Sequence, residues 1–194
     1  MTSVYDGDTF TCSLPSQANL SCKIRVIGYN SEEIKDKRYS DLRETKATNL
    51  LEQTLQTWFF QPKAKRTKQE WITMASLVHD INPLWFERIA SIASKYALVE
   101  LMERIEGRVT LEIPNLRPSF ERVLSHVYFV DGNKRQNLAQ WMIKRSLGYP
   151  YTTRQESEKK EYTREEKTRI FVLFVQYMDR YSVDFSGVAI TGAR

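Results

Sequence analysis

Apolar and polar positions follow strand spacing near the start of the chain and helical spacing further along. Residues 4–30 alternate or run apolar over short stretches on both sides of a turn-type segment at 13–19, which predicts two or three strands. Ser40 is suited to be the N-cap of a helix that continues to about residue 57. The apolar stripe of this helix has the spacing of one that lies on a sheet: Ala47, Leu50, Leu51, Leu55 and Trp58.

The middle of the chain predicts a pair of helices. A helical pattern covers residues 69–79, and a second one at 82–106 begins with an asparagine N-cap and a first-turn proline. Gly107 is placed to end the second helix. We interpret residues 58–106 as a helical hairpin that is inserted between the first helix and the next strand. Three large aromatic residues are expected to form its core: Trp71, Trp85 and Phe86.

Strand patterns return in the second half of the chain, at residues 109–113 and 123–130. The sequence Asp131-Gly132-Asn133 then predicts a hairpin-type turn. A helical pattern covers residues 136–147, and a charged segment that becomes apolar predicts a last helix from about 154 to 181. Residue patterns alone therefore predict a mixed α+β protein.

Length and composition limit the number of domains and the class of partner, but they do not decide the function. A length of 194 residues fits one domain with an insertion, and no apolar tract is long enough to cross a membrane. The net charge of +5 suits a nucleic-acid partner, although many basic proteins bind none. No signal-peptide pattern comes before the first strand, so we expect a cytoplasmic protein with no membrane partner.

The two cysteines are expected to face each other across the first hairpin. If Thr9 lies opposite Arg25, equal steps along the two strands place Cys12 opposite Cys22. Such a pair could form a disulfide, or two reduced thiols could fill space on one face of the sheet. We favour reduced thiols because the chain shows no secretion signal.

The same hairpin brings candidate chemistry together. Asp8 would lie near Arg25 and near the polar loop at 30–33. Carboxylate and amide oxygens suit a hard cation such as calcium, and a guanidinium beside the cation can hold two oxygens of a phosphate. Two alternatives stay open. Arg25 could form a structural ion pair with Asp8 or Glu33, and Asp6-Gly7-Asp8 could be simply a turn.

Three parts of the chain resemble one known family. They are VYDGDTF at 4–10 with IRVIGYNSEE at 24–33, RVLSHVY at 122–128 with Asp-Gly at 131–132, and NLAQWMIKRSLG at 137–148. In this order they resemble the staphylococcal nuclease (thermonuclease) family, whose motifs include V-x-D-G-D-T and, after R-[LV]-[LI]-G, the run D-[TA]-P-E. The resemblance covers residues 4–57 and 107–153, about half of the chain.

The resemblance implies a fold and a domain organisation. It predicts a five-stranded Greek-key β-barrel of the OB type with packed helices. Residues 1–57 and 107–153 would form this barrel as one discontinuous domain. Residues 58–106 would be the helical insertion, and residues 154–194 a C-terminal helix and tail.

The resemblance also implies a calcium site. The matched positions that hold the metal are Asp8, Asn30 and the carbonyl group of Ser31. The family has aspartate in place of Asn30, threonine in place of Ser31 and proline in place of Glu32. An amide oxygen can ligate calcium but brings no negative charge, so we expect a lower affinity or a changed metal preference.

Further matched residues imply phosphodiester hydrolysis. Glu33 would act as general base toward a water molecule, and Arg25 with Arg122 would hold the phosphate oxygens and stabilise charge in the transition state. The reaction in the family cuts the bond to the 5′ oxygen of DNA or RNA and leaves 3′-phosphate ends. The alternative for Arg122 is simple exposure at the start of a strand.

Other candidate contacts lie outside this centre. Tyr149 and Tyr151 match positions where the family places tyrosines against the base and sugar of the nucleotide, or they pack on the rim of the barrel. The basic run at 63–68 could follow a phosphate backbone, although a solvated linker is the commoner explanation. The insertion at 58–106 could dock a protein partner.

Two functional hypotheses are therefore open. The first is a calcium-dependent nuclease that hydrolyses DNA or RNA. The second is a nuclease-like module that has lost efficient catalysis and binds nucleic acid or a protein. Asn30 and the insertion favour the module. The presence of Arg25, Glu33 and Arg122 in one chain favours the nuclease.

Overall fold

The structure is a computed structural model that describes residues 3–13, 21–34, 37–60, 67–114, 122–151 and 161–181. Several predicted features lie wholly or mostly outside these residues: the turn at 13–19, the basic run at 63–68, the start of the last helix and the tail after residue 181. Within the described residues, no helix is both long and apolar enough to cross a membrane.

The chain divides into two compact units. The first, which we call the sheet unit, is made from residues 1–32 and 94–160. The second, which we call the helical unit, is made from residues 33–93 and 161–194. The predicted division is different, because it grouped residues 33–57 with a barrel and treated residues 58–106 as a separate insertion.

The sheet unit contains eight strands among its described residues: β1 Ser3–Asp6, β2 Thr9–Ser13, β3 Ser21–Val26, β4 Tyr29–Asn30, β5 Thr110–Glu112, β6 Val123–Asp131, β7 Lys134–Asn137 and β8 Tyr149–Pro150. The main sheet has the order β1-β2-β3-β6-β5, and β7 also pairs with β6. Strands β3 and β6 run parallel, and the other pairs are antiparallel. Strands β4 and β8 form a separate ribbon.

The register of the first hairpin confirms the predicted one. Thr9 pairs with Arg25, and Cys12 pairs with Cys22. The two Sγ atoms lie 3.6 Å apart, and both cysteines are free thiols. Burial, and then the neighbouring Cys22, raise the pKa of the Cys12 thiol to about 12, which makes it a poor nucleophile.

The mixed α+β class is confirmed, whereas closure into a barrel stays a prediction. The described residues show no pairing between β1 and β5, the two strands at the edges of the main sheet. A closed barrel would have no such edges.

One face of the main sheet forms the core of the sheet unit. Phe10 and Ile24 are fully buried on this face, together with Val127 and Phe129 of β6. A short helix packs against β6, with the ring of Trp141 edge-on to Phe129 at 6.0 Å between centroids. This alternation of buried and outer residues leaves the opposite face of the sheet for other contacts.

Five α-helices lie in the described residues: α1 Leu50–Phe60, α2 Lys68–Thr73, α3 Pro83–Arg104, α4 Leu138–Lys144 and α5 Arg164–Tyr181. The position of α3 confirms the predicted helix at 82–106. Gly107, with a φ of +69°, ends this helix by donating its N–H to the carbonyl of Met102 at 2.7 Å. The boundary between the two units falls inside α3.

The helix predicted from Ser40 to residue 57 is wrong at its start. Residues Lys37–Arg43 form a 3-10 helix instead, and α1 begins only at Leu50. The side-chain oxygen of Asn49 accepts a hydrogen bond from the N–H of Glu52 at 3.0 Å, which is the bond of an N-cap. The chain therefore uses the polar residues just before Leu50 to begin the helix.

Residues of the predicted apolar stripe and aromatic cluster build the core of the helical unit. Leu51 and Leu55 are fully buried, whereas Leu50 is 54% exposed. The three aromatic residues predicted to form a core are all buried: Trp71, Trp85 and Phe86. The edge of the Trp71 ring system meets Phe171 and Phe174 of α5, with centroids 6.3 and 6.4 Å apart.

Candidate functional site

The turn between β1 and β2 fixes the backbone of Asp8. The N–H of Asp8 donates to Oδ1 of Asp6 at 3.2 Å, and the Asp8 carbonyl accepts from the N–H of Val26 at 3.0 Å. The side chain of Asp8 is fully buried. A short turn with two such bonds holds the carboxylate in one place.

Gly7 allows this turn to approach its neighbours closely. A Cβ atom on Gly7 would lie 2.6 Å from Cβ of Ser94 and 2.7 Å from Cβ of Ser31, closer than real side chains come. The hydroxyl of Tyr29 donates to the Gly7 carbonyl. The glycine of the Asp-Gly-Asp motif is therefore required by packing.

Both oxygens of the Asp8 carboxylate accept hydrogen bonds. Oδ1 accepts from the Thr9 hydroxyl at 2.9 Å and from the Arg25 guanidinium, and Oδ2 accepts from the N–H of Ser31 at 2.9 Å. A second nitrogen of Arg25 donates to Oδ1 of Asn30. The guanidinium thus bridges Asp8 and Asn30, so the predicted ion pair between Arg25 and Asp8 is present.

The environment of Asp8 favours a proton on its carboxyl group. Burial raises the pKa of Asp8 most, and the negative charge of Asp6 raises it further. Arg25 and the Ser31 N–H act in the opposite direction by stabilising the ionised form. The net result is a pKa of about 7, compared with an ordinary value of 3.8.

Asn30 lies in the ribbon of β4 and β8, directly opposite Tyr149. Gly148 allows this approach, because a Cβ atom there would lie 2.6 Å from the Asn30 carbonyl oxygen. Tyr151 follows, with its N–H 3.3 Å from the carbonyl of Gly28 and its side chain 36% exposed. The ribbon therefore brings both predicted tyrosines to the segment that carries Asn30.

Arg122 reaches the same sheet face as Arg25 through the parallel strand pair. Ile24 pairs with Val123, and Arg25 pairs with Leu124. Arg122 directly precedes β6 and shares a face with Leu124, two residues on. Ideal strand spacings separate the Cα positions of Arg25 and Arg122 by about 8 Å. Among the described residues, no ion pair to Arg122 is found.

Ser31 and Glu33 continue the chain beyond Asn30. The Ser31 hydroxyl is buried and has no hydrogen-bond partner within the described residues. Glu33 is exposed and is the first residue of the helical unit. Chain length alone keeps the Cα of Glu33 within about 11 Å of the Cα of Asn30. Glu33 is thus linked to Asn30 by its place in the sequence.

The candidate oxygen ligands are of the chemical type that calcium prefers. The carboxylate of Asp8, the amide oxygen of Asn30 and the carbonyl oxygen of Ser31 are all hard ligands. Arg25 already donates to the first two, so a cation can bind there only when the guanidinium moves away. The part of the chain described by the structure contains no cluster of three or more His, Cys, Asp or Glu side chains suited to a metal.

Two contributors to this site were not assigned from the sequence. Asp6 anchors the N–H of Asp8, and Tyr29 anchors the carbonyl of Gly7. Asp6 stands in the Asp-Gly-Asp motif, so its position next to Asp8 was a usable signal. Tyr29 gave no such signal, because residue spacing does not show that its hydroxyl reaches the carbonyl of Gly7.

Comparison of the chain with protein-family models, with curated proteins and with solved structures found no match.

Proposed function

We propose that this protein is a nuclease that hydrolyses phosphodiester bonds in DNA or RNA, with a sheet that closes into an OB-type barrel. The observation that carries the proposal is the pairing of β3 with β6. This pairing gives Arg25 and Arg122 a common face, on which Arg25 contacts Asp8 and Asn30 and Arg122 lies level with Lys23. Two guanidinium groups on one face suit a phosphate diester, since each can hold two oxygens.

In this proposal, different residues bind the phosphate and accept the proton of the attacking water. Arg25 and Arg122 hold the non-bridging oxygens and neutralise the charge that grows as water approaches phosphorus. Glu33 accepts the proton of that water, whose oxygen forms a bond to phosphorus while the bond to the 5′ oxygen breaks. The 5′ oxygen leaves with a proton from solvent. Calcium, when held by Asp8, Asn30 and the Ser31 carbonyl, would add positive charge beside the phosphate.

Arg25 must change partners in this scheme. In the described structure its guanidinium donates to Asp8 and Asn30. A divalent cation at these two oxygens would replace the charge of the guanidinium and free it for the phosphate. Metal and phosphate should therefore bind with positive cooperativity.

A second candidate is a module that binds nucleic acid without cutting it. The observation that favours it is the bridge of Arg25 between Asp8 and Asn30, which balances the buried charge without any metal. Asn30 also brings less charge than a carboxylate would. A binding module has no use for Glu33, so this residue distinguishes the two candidates.

Digestion of single-stranded DNA with calcium, magnesium or a chelator tests the nuclease. We expect cleavage with calcium, and a loss of about 10²- to 10⁴-fold in turnover for Glu33→Gln with nearly unchanged binding. Glu44→Gln, a substitution of another exposed glutamate, is the matched control. Binding without cleavage under any metal condition would overturn the nuclease proposal and support the module.

A further inference from the structure

The outer face of the main sheet, opposite the core face, carries cationic and aromatic residues. Alternation along each strand separates this face from the one that bears Phe10 and Ile24. The strand pairings bring together residues of four strands, together with Arg122, which directly precedes β6. Besides Arg25, they are Tyr5, Lys23, Arg122, His126, Tyr128 and Arg135.

Two tyrosines on this face are each covered by a cation. The ammonium group of Lys23 lies 4.0 Å from the centroid of the Tyr5 ring, which remains 46% exposed. The guanidinium of Arg135 lies 4.1 Å from the centroid of the Tyr128 ring. Such contacts hold an aromatic ring in a fixed orientation. Each pair therefore offers a flat ring next to a positive charge.

The two pairs stand on either side of Arg25. Tyr5 is on β1, two strands away from Arg25, and Tyr128 is on β6, four residues beyond the partner of Arg25. Ideal strand spacing puts Tyr5 and Tyr128 about 20 Å apart on a flat sheet. This length suits a ligand of several nucleotides, in keeping with the smallest sites of OB folds, about four nucleotides.

Carboxylates on this face pair with only part of its positive charge. Arg25 pairs with Asp8, and Arg135 pairs with Glu112 at 2.5 Å, whereas Lys23 and Arg122 make no ion pair within the described residues. Asp6, opposite Thr9, adds a further carboxylate. Lys23 and Arg122 lie level with each other on adjacent strands, where their charges attract a polyanion, and aromatic rings beside them stack on unpaired bases. A duplex offers its phosphates to such a face but hides the faces of its bases.

We propose that this outer face is a track for an extended single strand of nucleic acid, which runs from the Tyr5–Lys23 pair past Arg25 to the Tyr128–Arg135 pair, with Arg122 beside Lys23 at the first end. The track deepens the proposed function, because it rests on phosphate binding at the two arginines. It does not depend on hydrolysis. The tyrosine pairs lie outside the residues assigned to cleavage and would set the path of the strand on both sides of the centre.

Binding of a fluorescein-labelled twelve-residue oligothymidine to the full chain, measured by fluorescence anisotropy in chelator, tests the track. We expect Tyr5→Leu and Tyr128→Leu each to weaken binding roughly tenfold, because each removes a stacking surface. Tyr5→Phe and Tyr128→Phe keep the ring and should bind as the wild type does. Circular dichroism and thermal unfolding verify that every variant is folded.

Salt dependence tests the charges on the same face. Lys23→Gln should reduce the slope of log affinity against log salt by about 0.7, the value for one phosphate contact on a single strand. Lys144→Gln removes an exposed lysine from α4 and should leave the slope unchanged. A blunt duplex of the same length should bind more weakly and should not respond to either leucine variant.

The outcomes separate this proposal from the nuclease proposal. Folded leucine variants that bind oligothymidine like the wild type would overturn the track, even if the wild type cleaves DNA. Weakened binding in these variants would support the track, even if no metal supports cleavage. Equal loss of duplex and single-strand binding would also overturn it, because stacking on unpaired bases would then play no part.

Discussion

Among the described residues, each unit of the molecule buries one carboxylate completely, and the two carboxylates are satisfied in different ways. Glu52 in the helical unit accepts from the N–H and hydroxyl of Thr48 at 2.6 and 2.9 Å and from the N–H of Asn82 at 2.5 Å. Asp8 in the sheet unit accepts from a backbone N–H, a hydroxyl and the guanidinium of Arg25. The donors to Glu52 are all neutral, whereas those to Asp8 include a long charged side chain.

This difference teaches which buried carboxylate is available for chemistry. The donors to Glu52 stand at the starts of α1 and α3, so they cannot leave without loss of helix ends. Arg25 is partly exposed, with 19% of its side-chain surface accessible, and can exchange Asp8 for another anion by rotation about its side-chain bonds. Glu52 is therefore structural, and we expect ligand exchange at Asp8 instead.

The largest expected effect is the pH dependence that Asp8 adds to stability. A native pKa of about 7 lies above the unfolded value, so the native state holds more protons between about pH 4 and pH 7. The free energy of unfolding should fall as the pH rises through this window, by up to about 4 kcal/mol. Urea unfolding at several pH values measures it. Asp8→Asn should flatten the curve, and the exposed control Asp179→Asn should not.

A somewhat smaller effect is expected when the carboxylate of Glu52 is removed. Glu52→Ala leaves three donors at two helix starts without their acceptor and should lower the free energy of unfolding by about 3 kcal/mol. Glu52→Gln keeps one carbonyl oxygen and should cost less. Urea denaturation measures both. Because Glu52 is assigned no role in binding, the affinity of folded Glu52→Gln for oligothymidine should equal that of the wild type; a changed affinity would contradict the structural role.

The smallest of these effects concerns calcium at the Asp8 centre. Arg25→Gln removes the cation that occupies the Asp8 and Asn30 oxygens, so calcium should bind about tenfold more tightly in the absence of nucleic acid. Loss of Arg25 raises the pKa of Asp8 further, so calorimetric titration is done at several pH values up to about pH 9, and the affinities are compared where they no longer change with pH. Arg122→Gln is the matched control and should bind calcium like the wild type. Unchanged affinity in Arg25→Gln would mean that the guanidinium does not compete with the metal.

Local rules predicted the first hairpin well. The pairing of Thr9 with Arg25 follows from the two-residue period of strands, which then fixes the position of Cys12 against Cys22. The ion pair of Arg25 with Asp8 was one of the two alternatives left open by the sequence, because an arginine between apolar residues needs an anion. Short-range geometry was sufficient for both.

Long-range packing could not be predicted in the same way. Ser40 and Asn49 are both good N-cap residues, and only the surrounding structure selects Asn49 as the start of α1. The grouping of α1 with α2 and α5 depends on contacts between distant segments, which residue spacing does not encode. The bond from Tyr29 to Gly7 spans a hairpin and is equally invisible in the pattern.

The parallel pair of β3 and β6 has a consequence for how the protein acquires its chemistry. Ile24 and Val123 are about a hundred residues apart along the chain, and closing so long a loop carries an entropic cost that delays the pairing. A nascent chain can form the first hairpin, with Asp8 and Arg25, well before the ribosome has made Arg122. The two arginines become neighbours only after the intervening segment has been synthesised, so a product truncated before Arg122 would carry only one of the two groups proposed to hold a phosphate.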